Sequence, residues 1–178
     1  MDTSATDPAC EQAHGGRADP GADPGTVVAV FDSPVAGYLL HFARECGLGT
    51  ALLDPRGAAT DSRAARYADR VLDGTDPQYL TEATDVVVTD HDRAELGEVL
   101  RDVLSGSARW VGVMGSPRHP APHVPALQRL GVPDDVVARV HRPVGLNIGS
   151  RSPAEIALAT VAGLIADRRD RPGGFGFG

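Results

Sequence analysis

The chain has 178 residues, 42% hydrophobic and 23% charged, which suits a single globular domain long enough to bury a sizeable core. Aromatic residues make up 4%, and 24 acids against 17 bases leave a net charge of −7, so base stacking and non-specific phosphate-backbone binding are poor fits and no nucleic-acid partner is expected. Every base is Arg and none is Lys, which removes Schiff-base, Walker A and lysine general-base chemistry.

Residues 1–25 carry five acids and one Arg and almost no branched aliphatic side chain, so they are expected to form a disordered acidic Pro/Gly/Ala tail. The folded unit is expected over 26–167, with a second flexible tail from 168 to 178. Thr26–Phe31 is a β-branched run of strand length. Val35, Leu39, Phe42, Ala43 and Cys46 then follow the rhythm of a helix buried on one face. Thr50–Asp54, Arg70–Leu72 and Asp85–Thr89 read as the second, third and fourth strands. Leu96, Val99, Leu100, Val103 and Leu104 mark an amphipathic helix, and Arg109–Met114 a fifth strand. Continuous apolar strands alternating with helices predict an α/β, doubly wound, mostly parallel Rossmann-like sheet with helices on both faces.

Ser152, Pro153 and Glu155 predict a capped helix start. The helix Ala154–Ala166 is apolar nearly all round. Either a second layer or a second copy of the chain must bury what one sheet face cannot, and a homodimer is the expectation. Cys10 and Cys46 form no spacing motif, so neither a disulfide framework nor a cysteine zinc site is expected. No apolar run approaches the ~18 residues of a membrane helix, and the start of the chain is acidic. A cytoplasmic protein with no membrane partner is expected.

In such a sheet ligands bind beyond the carboxyl ends of the strands, where strand order reverses. A dinucleotide site wants Gly-x-Gly-x-x-Gly in the first of these loops, but here stand Phe31, Asp32, Ser33 and Pro34. Pro34 removes an amide donor and Asp32 adds negative charge, so NAD(P) is not the expected cofactor. Ser33 fits either a helix N-cap or a ligand contact. Asp54, 22 residues after Asp32, stands where Rossmann proteins hold ribose hydroxyls, or else closes the turn before Pro55. Asp90, His91 and Asp92 could serve as an acid–base or metal cluster, or Asp92 could cap the next helix. Gly115 with Ser116, and Gly145, Asn147 and Gly149, could cradle an anion with backbone amides, with Arg118 and Arg151 adding charge and His141 opening the last loop; the alternative is turns that need positive φ. No metal site made of protein ligands and no catalytic set is expected.

Several of these segments resemble a known pattern. Trp110-Val-Gly-Val-Met-Gly-Ser-Pro-Arg is similar to a segment of the xanthine dehydrogenase accessory family (XdhC/CoxI type). The run from Arg139 through His141, Gly145, Asn147 and Gly149 to Ala157 is close to its longest motif. Leu53-Asp-Pro-Arg and His91–Asp92 match two shorter ones. The resemblance covers about 26–168, the family's C-terminal Rossmann domain. It implies a chaperone-like accessory protein that binds the molybdenum cofactor (molybdopterin) and inserts it into xanthine dehydrogenase-type molybdenum hydroxylases. The partners it implies are the apo hydroxylase, a cysteine desulfurase and a separate chain supplying the family's other domain. It carries over no catalytic or metal-ligand set. The readings that compete with it are a nicotinamide-dependent oxidoreductase and a dimeric interaction module that binds no ligand.

Overall fold

The computed structural model describes residues 24–174 apart from Pro117. The tail expected over 1–25 therefore lies almost wholly outside the described residues. Six strands, β1 (Thr26–Val30), β2 (Gly49–Leu53), β3 (Arg70–Leu72), β4 (Thr84–Val88), β5 (Trp110–Val113) and β6 (Val140–His141), form one parallel sheet in the order 3-2-1-4-5-6. This is the doubly wound Rossmann order, with its switch point between β1 and β4. The sixth strand is a correction, because the chain from His141 onward reads as loop. With two residues, β6 is too short to show a period of its own.

The helices are α1 (Pro34–Glu45), α2 (Arg63–Tyr67), α3 (Leu96–Ser105), α4 (His123–Arg129), α5 (Asp134–Val137) and α6 (Pro153–Arg168). Alternation along the strands sends Val28, Val30, Val86, Val88, Val111 and Val113 to a core with Leu100, Val103 and Leu127. Val27, Ala29, Leu52 and Val87 face the other way, under Leu39 and Leu40 of α1 and Ala157, Val161 and Leu164 of α6. Register places the functional edge. Val30 pairs with Leu53 and with Val88, and Val88 with Val113, so the loops after β1, β2, β4 and β5 start level with one another.

The apolar surface of α6 is covered largely within the chain. α1 and the sheet take one side, and the 144–146 segment packs against the helix backbone. A Cβ on Gly145, whose φ is +87°, would stand 2.9 Å from the Ala159 carbonyl carbon and from the Thr160 nitrogen. The Leu146 amide donates to the Ala159 carbonyl at 3.0 Å. Of the large apolar residues on α6, Leu158 stands out as 53% exposed. The second layer that the sequence left open as an alternative is thus present. The capping box forms as expected, Ser152 accepting from the Glu155 amide and Glu155 from the Ser152 amide.

α6 also runs to Arg168, one residue past the expected boundary, for a reason the sequence does not advertise. Fully buried Asp85 on β4 accepts from Arg168 Nε and from Arg109 Nη2, both at 2.7 Å. Arg109 Nη1 reaches Asp167 at 2.6 Å. Three elements are joined at the amino edge of the sheet, away from the ligand edge.

Candidate functional site

The loop after β1 is built without glycine. Phe31, fully buried, takes φ +71°, the left-handed conformation that a glycine would otherwise supply. Its neighbours hold it there. Thr89 Oγ1 is 2.9 Å from the Phe31 carbonyl, the Asp32 amide donates to Asp54 Oδ2 at 2.9 Å, and the Arg93 guanidinium lies 4.7 Å above the Phe31 ring.

Asp54, 2% exposed, is fully engaged inside the chain. Besides the Asp32 amide it accepts from the Arg56 amide at 3.0 Å and from Arg93 Nη2 at 2.8 Å and Nη1 at 3.3 Å. Burial pushes its carboxyl up, but the bonds from Arg93 and the two amides outweigh that and hold it below the ordinary carboxylate value. Asp32 accepts from Ser62 Oγ at 2.8 Å and from the Ala59 amide at 3.3 Å. Glu95 pairs with Arg56 and lies 3.7 Å from Arg93. The edge over β1 and β2 is sealed by its own side chains.

The edge over β4 and β5 is open. A cleft of about 400 Å³ lies there, between α1, the 144–150 segment and the start of α6. That size is within the usual range for small-molecule sites. Val35, Met114, Val144 and Ile156 supply its apolar lining; Thr89, His91, Gly115, Ser116 and Ser150 supply the rest. Thr89 is already committed, accepting from Ser33 Oγ at 2.8 Å and facing the Val30 and Phe31 carbonyls. Ser116 Oγ accepts from the Arg118 amide at 3.2 Å, which leaves its own proton to donate. Among the described residues, the amides of Gly115 and Ser116 have no hydrogen-bond partner. Next to Gly115, Arg142 donates from Nη2 to the Ser116 carbonyl and from Nη1 to the His119 carbonyl, each at 3.2 Å. His123, close enough to Arg142 to feel its charge, is buried with Nδ1 unpartnered, and burial together with that charge pushes its pKa down.

Of the residues singled out from sequence, His91, Gly115 and Ser116 meet at this cleft, and Ser33 stands behind it through Thr89. Asp54 belongs to the sealed half instead. Asp92 is exposed and caps nothing: α3 starts at Leu96 with Glu95 before it, and the Asp92 amide turns back onto Asp90 Oδ1 at 3.0 Å. Donor atoms of Asp90, His91 and Asp92 do lie within 4.8 Å of one another. Arg118 is exposed and does not line the cleft. His141 ends β6 with its ring stacked on Trp110, centroids 4.9 Å apart. Gly145 serves the packing against α6, and Asn147 and Gly149 are exposed on the loop beyond it. Sequence reasoning missed the apolar lining (Val35, Met114, Val144 and Ile156) together with Thr89, Ser150 and Arg142. Ser150 and Ile156 flank the predicted helix cap, which was the available signal. Arg142 had none.

A family model described as the XdhC Rossmann domain matches residues 27–164. The chain belongs to this family. A Bacillus subtilis (strain 168) protein, named as a probable xanthine dehydrogenase subunit, is 26% identical over 136 residues, 74% of this chain and 39% of that protein. An Escherichia coli (strain K12) protein named "Uncharacterized protein YqeB" is 30% identical over 89 residues, 50% of this chain and 16% of that protein. A crystal structure described as a xanthine dehydrogenase from Bacillus halodurans superposes with a TM-score of 0.62 at 25% identity, over 83% of this chain and 43% of that one. The XdhC-type domain seen here thus spans less than half the length of each of these proteins. None of its described helices is long and apolar enough to cross a membrane.

Proposed function

We propose that this domain binds the molybdenum cofactor as cargo and passes it to an apo molybdenum hydroxylase of the xanthine dehydrogenase type, as an accessory factor in that enzyme's maturation. The observation that carries this reading is the open cleft over β4 and β5, which combines an apolar lining with the unengaged amides of Gly115 and Ser116 and the free Ser116 hydroxyl proton. The cofactor is a pterin that bears a phosphate. Its phosphate would be held by the Gly115 and Ser116 amides and the Ser116 hydroxyl. Its ring system would lie against Met114, Val35 and Ile156, with His91 at its polar edge. Membership of the XdhC family and the names of two relatives support the same choice of client. A cysteine desulfurase, which would meet the protein while the cofactor is held, is proposed as a further partner, as is a chain carrying the family's other domain. A homodimer through Leu158 is proposed on the exposure of that side chain alone.

A nicotinamide site has less support, because a ribose at Asp54 would have to displace Arg93 and two backbone amides. Titrating the protein with molybdopterin and, separately, with NAD(P) tests the choice. Saturable molybdopterin binding, weakened about tenfold by Ser116→Ala, is the expected result. Low-micromolar NAD(P) binding without molybdopterin binding would overturn the proposal.

A further inference from the structure

On the reading proposed above the cleft takes an anionic ligand, yet no arginine lines it, and His91, which does, has the acidic residues Asp90 and Asp92 beside it, with donor atoms of the three within 4.8 Å of one another. The chain has no lysine to supply the missing charge. One guanidinium stands close by without opening onto the cleft. A Cβ on Gly115, which does line it, would lie 2.6 Å from Arg142 Nη2 and 2.8 Å from Nε. Arg142 therefore sits directly behind the glycine, in the space that a side chain there would need. Its bonds go to the Ser116 and His119 carbonyls, and its buried Nε has no partner. Unlike Arg56, Arg93, Arg109 and Arg168, it has no carboxylate within ion-pair distance among the described residues. The buried imidazole of His123 next to it is held toward the neutral form, so that neighbour offers no counter-charge.

We infer that Arg142 is the positioning residue that charges the anion-binding wall of this cleft, acting through Gly115 without touching the ligand. The inference rests on the reading that the cleft takes the cofactor's phosphate. An unneutralised cation behind two free amides raises the potential where an anion would sit, and a half-buried position screens it less than a surface arginine is screened. Gly115 then has a specific reason to be glycine: its φ is +150° and the guanidinium fills the place of its Cβ. Arg142 also fixes the carbonyls of the loop that presents the amides, so charge and shape have to be separated experimentally.

Inorganic phosphate is the probe, followed through the Gly115 and Ser116 amide resonances of the full chain. Arg142→Lys keeps the charge and loses the fork; Arg142→Gln keeps one possible bond to a carbonyl and loses the charge. If charge is the role, the Lys variant binds phosphate within about twofold of wild type and the Gln variant about tenfold more weakly, the factor that 1.4 kcal/mol produces. Melting temperatures measured on both variants report the shape contribution, and Gly115→Ala, which displaces the guanidinium, should resemble Arg142→Gln in binding. Equal binding by Arg142→Gln and wild type, equal losses in the Lys and Gln variants, or a wild-type protein whose two amides do not respond to phosphate would each overturn the inference. A protein whose amides respond to phosphate but which does not bind molybdopterin would instead overturn the choice of cargo and leave the role of Arg142 standing.

Discussion

The two halves of the sheet's ligand edge begin level and end differently. Over β1 and β2 the polar groups satisfy one another: Asp54 takes Arg93 and two amides, Asp32 takes Ser62, and Glu95 takes Arg56. Over β4 and β5 they face a cleft with the Gly115 and Ser116 amides unengaged. In a dinucleotide-binding fold the first half is where glycines and an acidic residue receive the ligand. Here the same positions hold Phe31 in a glycine's conformation and an acid already paired, so polar chemistry in the first half has become structure. A strand-end carboxylate reports on ligand binding only when its lone pairs are free.

The largest expected effect tests the sealed half. Asp54→Ala removes the hydrogen-bonded partner of a buried pair and leaves the Arg93 guanidinium, 15% exposed, with only the looser contact to Glu95 at 3.7 Å. Losing one member of such a pair costs about 3 kcal/mol or more. Urea unfolding should show a loss of that size with an unchanged slope. Molybdopterin and phosphate binding, measured under conditions where the variant is folded, should stay within about twofold of wild type. A variant of wild-type stability with impaired ligand binding would reverse the comparison and put Asp54 back in a binding site. The wild-type pair also has a pH signature. The folded Asp54 pKa lies below its unfolded value near 3.8, so its stabilisation is complete above that value and is lost as pH falls through the lower, folded one.

A smaller effect sharpens the open half. The pKa of His123 in the folded chain lies below the ordinary histidine value of 6.5, first because the ring is buried and second because Arg142 is near. The unfolded chain therefore takes up this proton first. Stability from this group is full above pH 6.5 and declines as pH falls below it toward the folded value. Thermal melts of wild type and His123→Gln between pH 7.5 and about 5 should diverge, with the variant showing the shallower slope. Parallel slopes would mean that His123 titrates alike in the folded and unfolded chains, so that neither its burial nor Arg142 acts on it as the geometry indicates.

Much of the fold could be read from the chain because its signals are local. The β-branched runs at Thr26–Phe31 and Asp85–Thr89 and the rhythm of Leu96, Val99, Leu100 and Val103 report burial within a few residues of themselves. The Ser152–Glu155 capping box does the same. What could not be read is the pairing of distant residues. Arg93 and Asp54 are 39 positions apart, and Arg168 and Asp85 are 83 apart; no spacing rule connects either pair. From sequence Asp54 therefore stays open between a ribose contact and a turn closure, Arg168 falls in the expected tail, and Gly145 stays open between an anion cradle and a positive-φ turn; the structure gives Asp54 the bond from the Arg56 amide and Gly145 the contact with α6. The site was legible to the extent that it is made of strand ends: His91, Gly115 and Ser116 follow β4 and β5 within a few residues.

The smallest expected effect belongs to Arg118, the arginine that sequence position alone would choose for the ligand. It lies two residues after Ser116, and its amide bonds back to Ser116 Oγ at 3.2 Å. That turn sends the residue to the exposed surface, and the side chain does not line the cleft. An exposed guanidinium is solvated and screened, and surface substitutions of this kind usually change free energies by no more than about 0.5 kcal/mol. Arg118→Ala should therefore leave the melting temperature unchanged and weaken phosphate or molybdopterin binding by about twofold at most, with that small loss vanishing as salt is raised. Arg142→Gln, measured beside it, should lose more binding and keep part of that loss at high salt, because its charge is half-buried behind Gly115. If Arg118→Ala is the more damaging of the two, the 116–119 turn must rearrange when the ligand arrives, and the open half is then a mobile site rather than one preformed by Arg142.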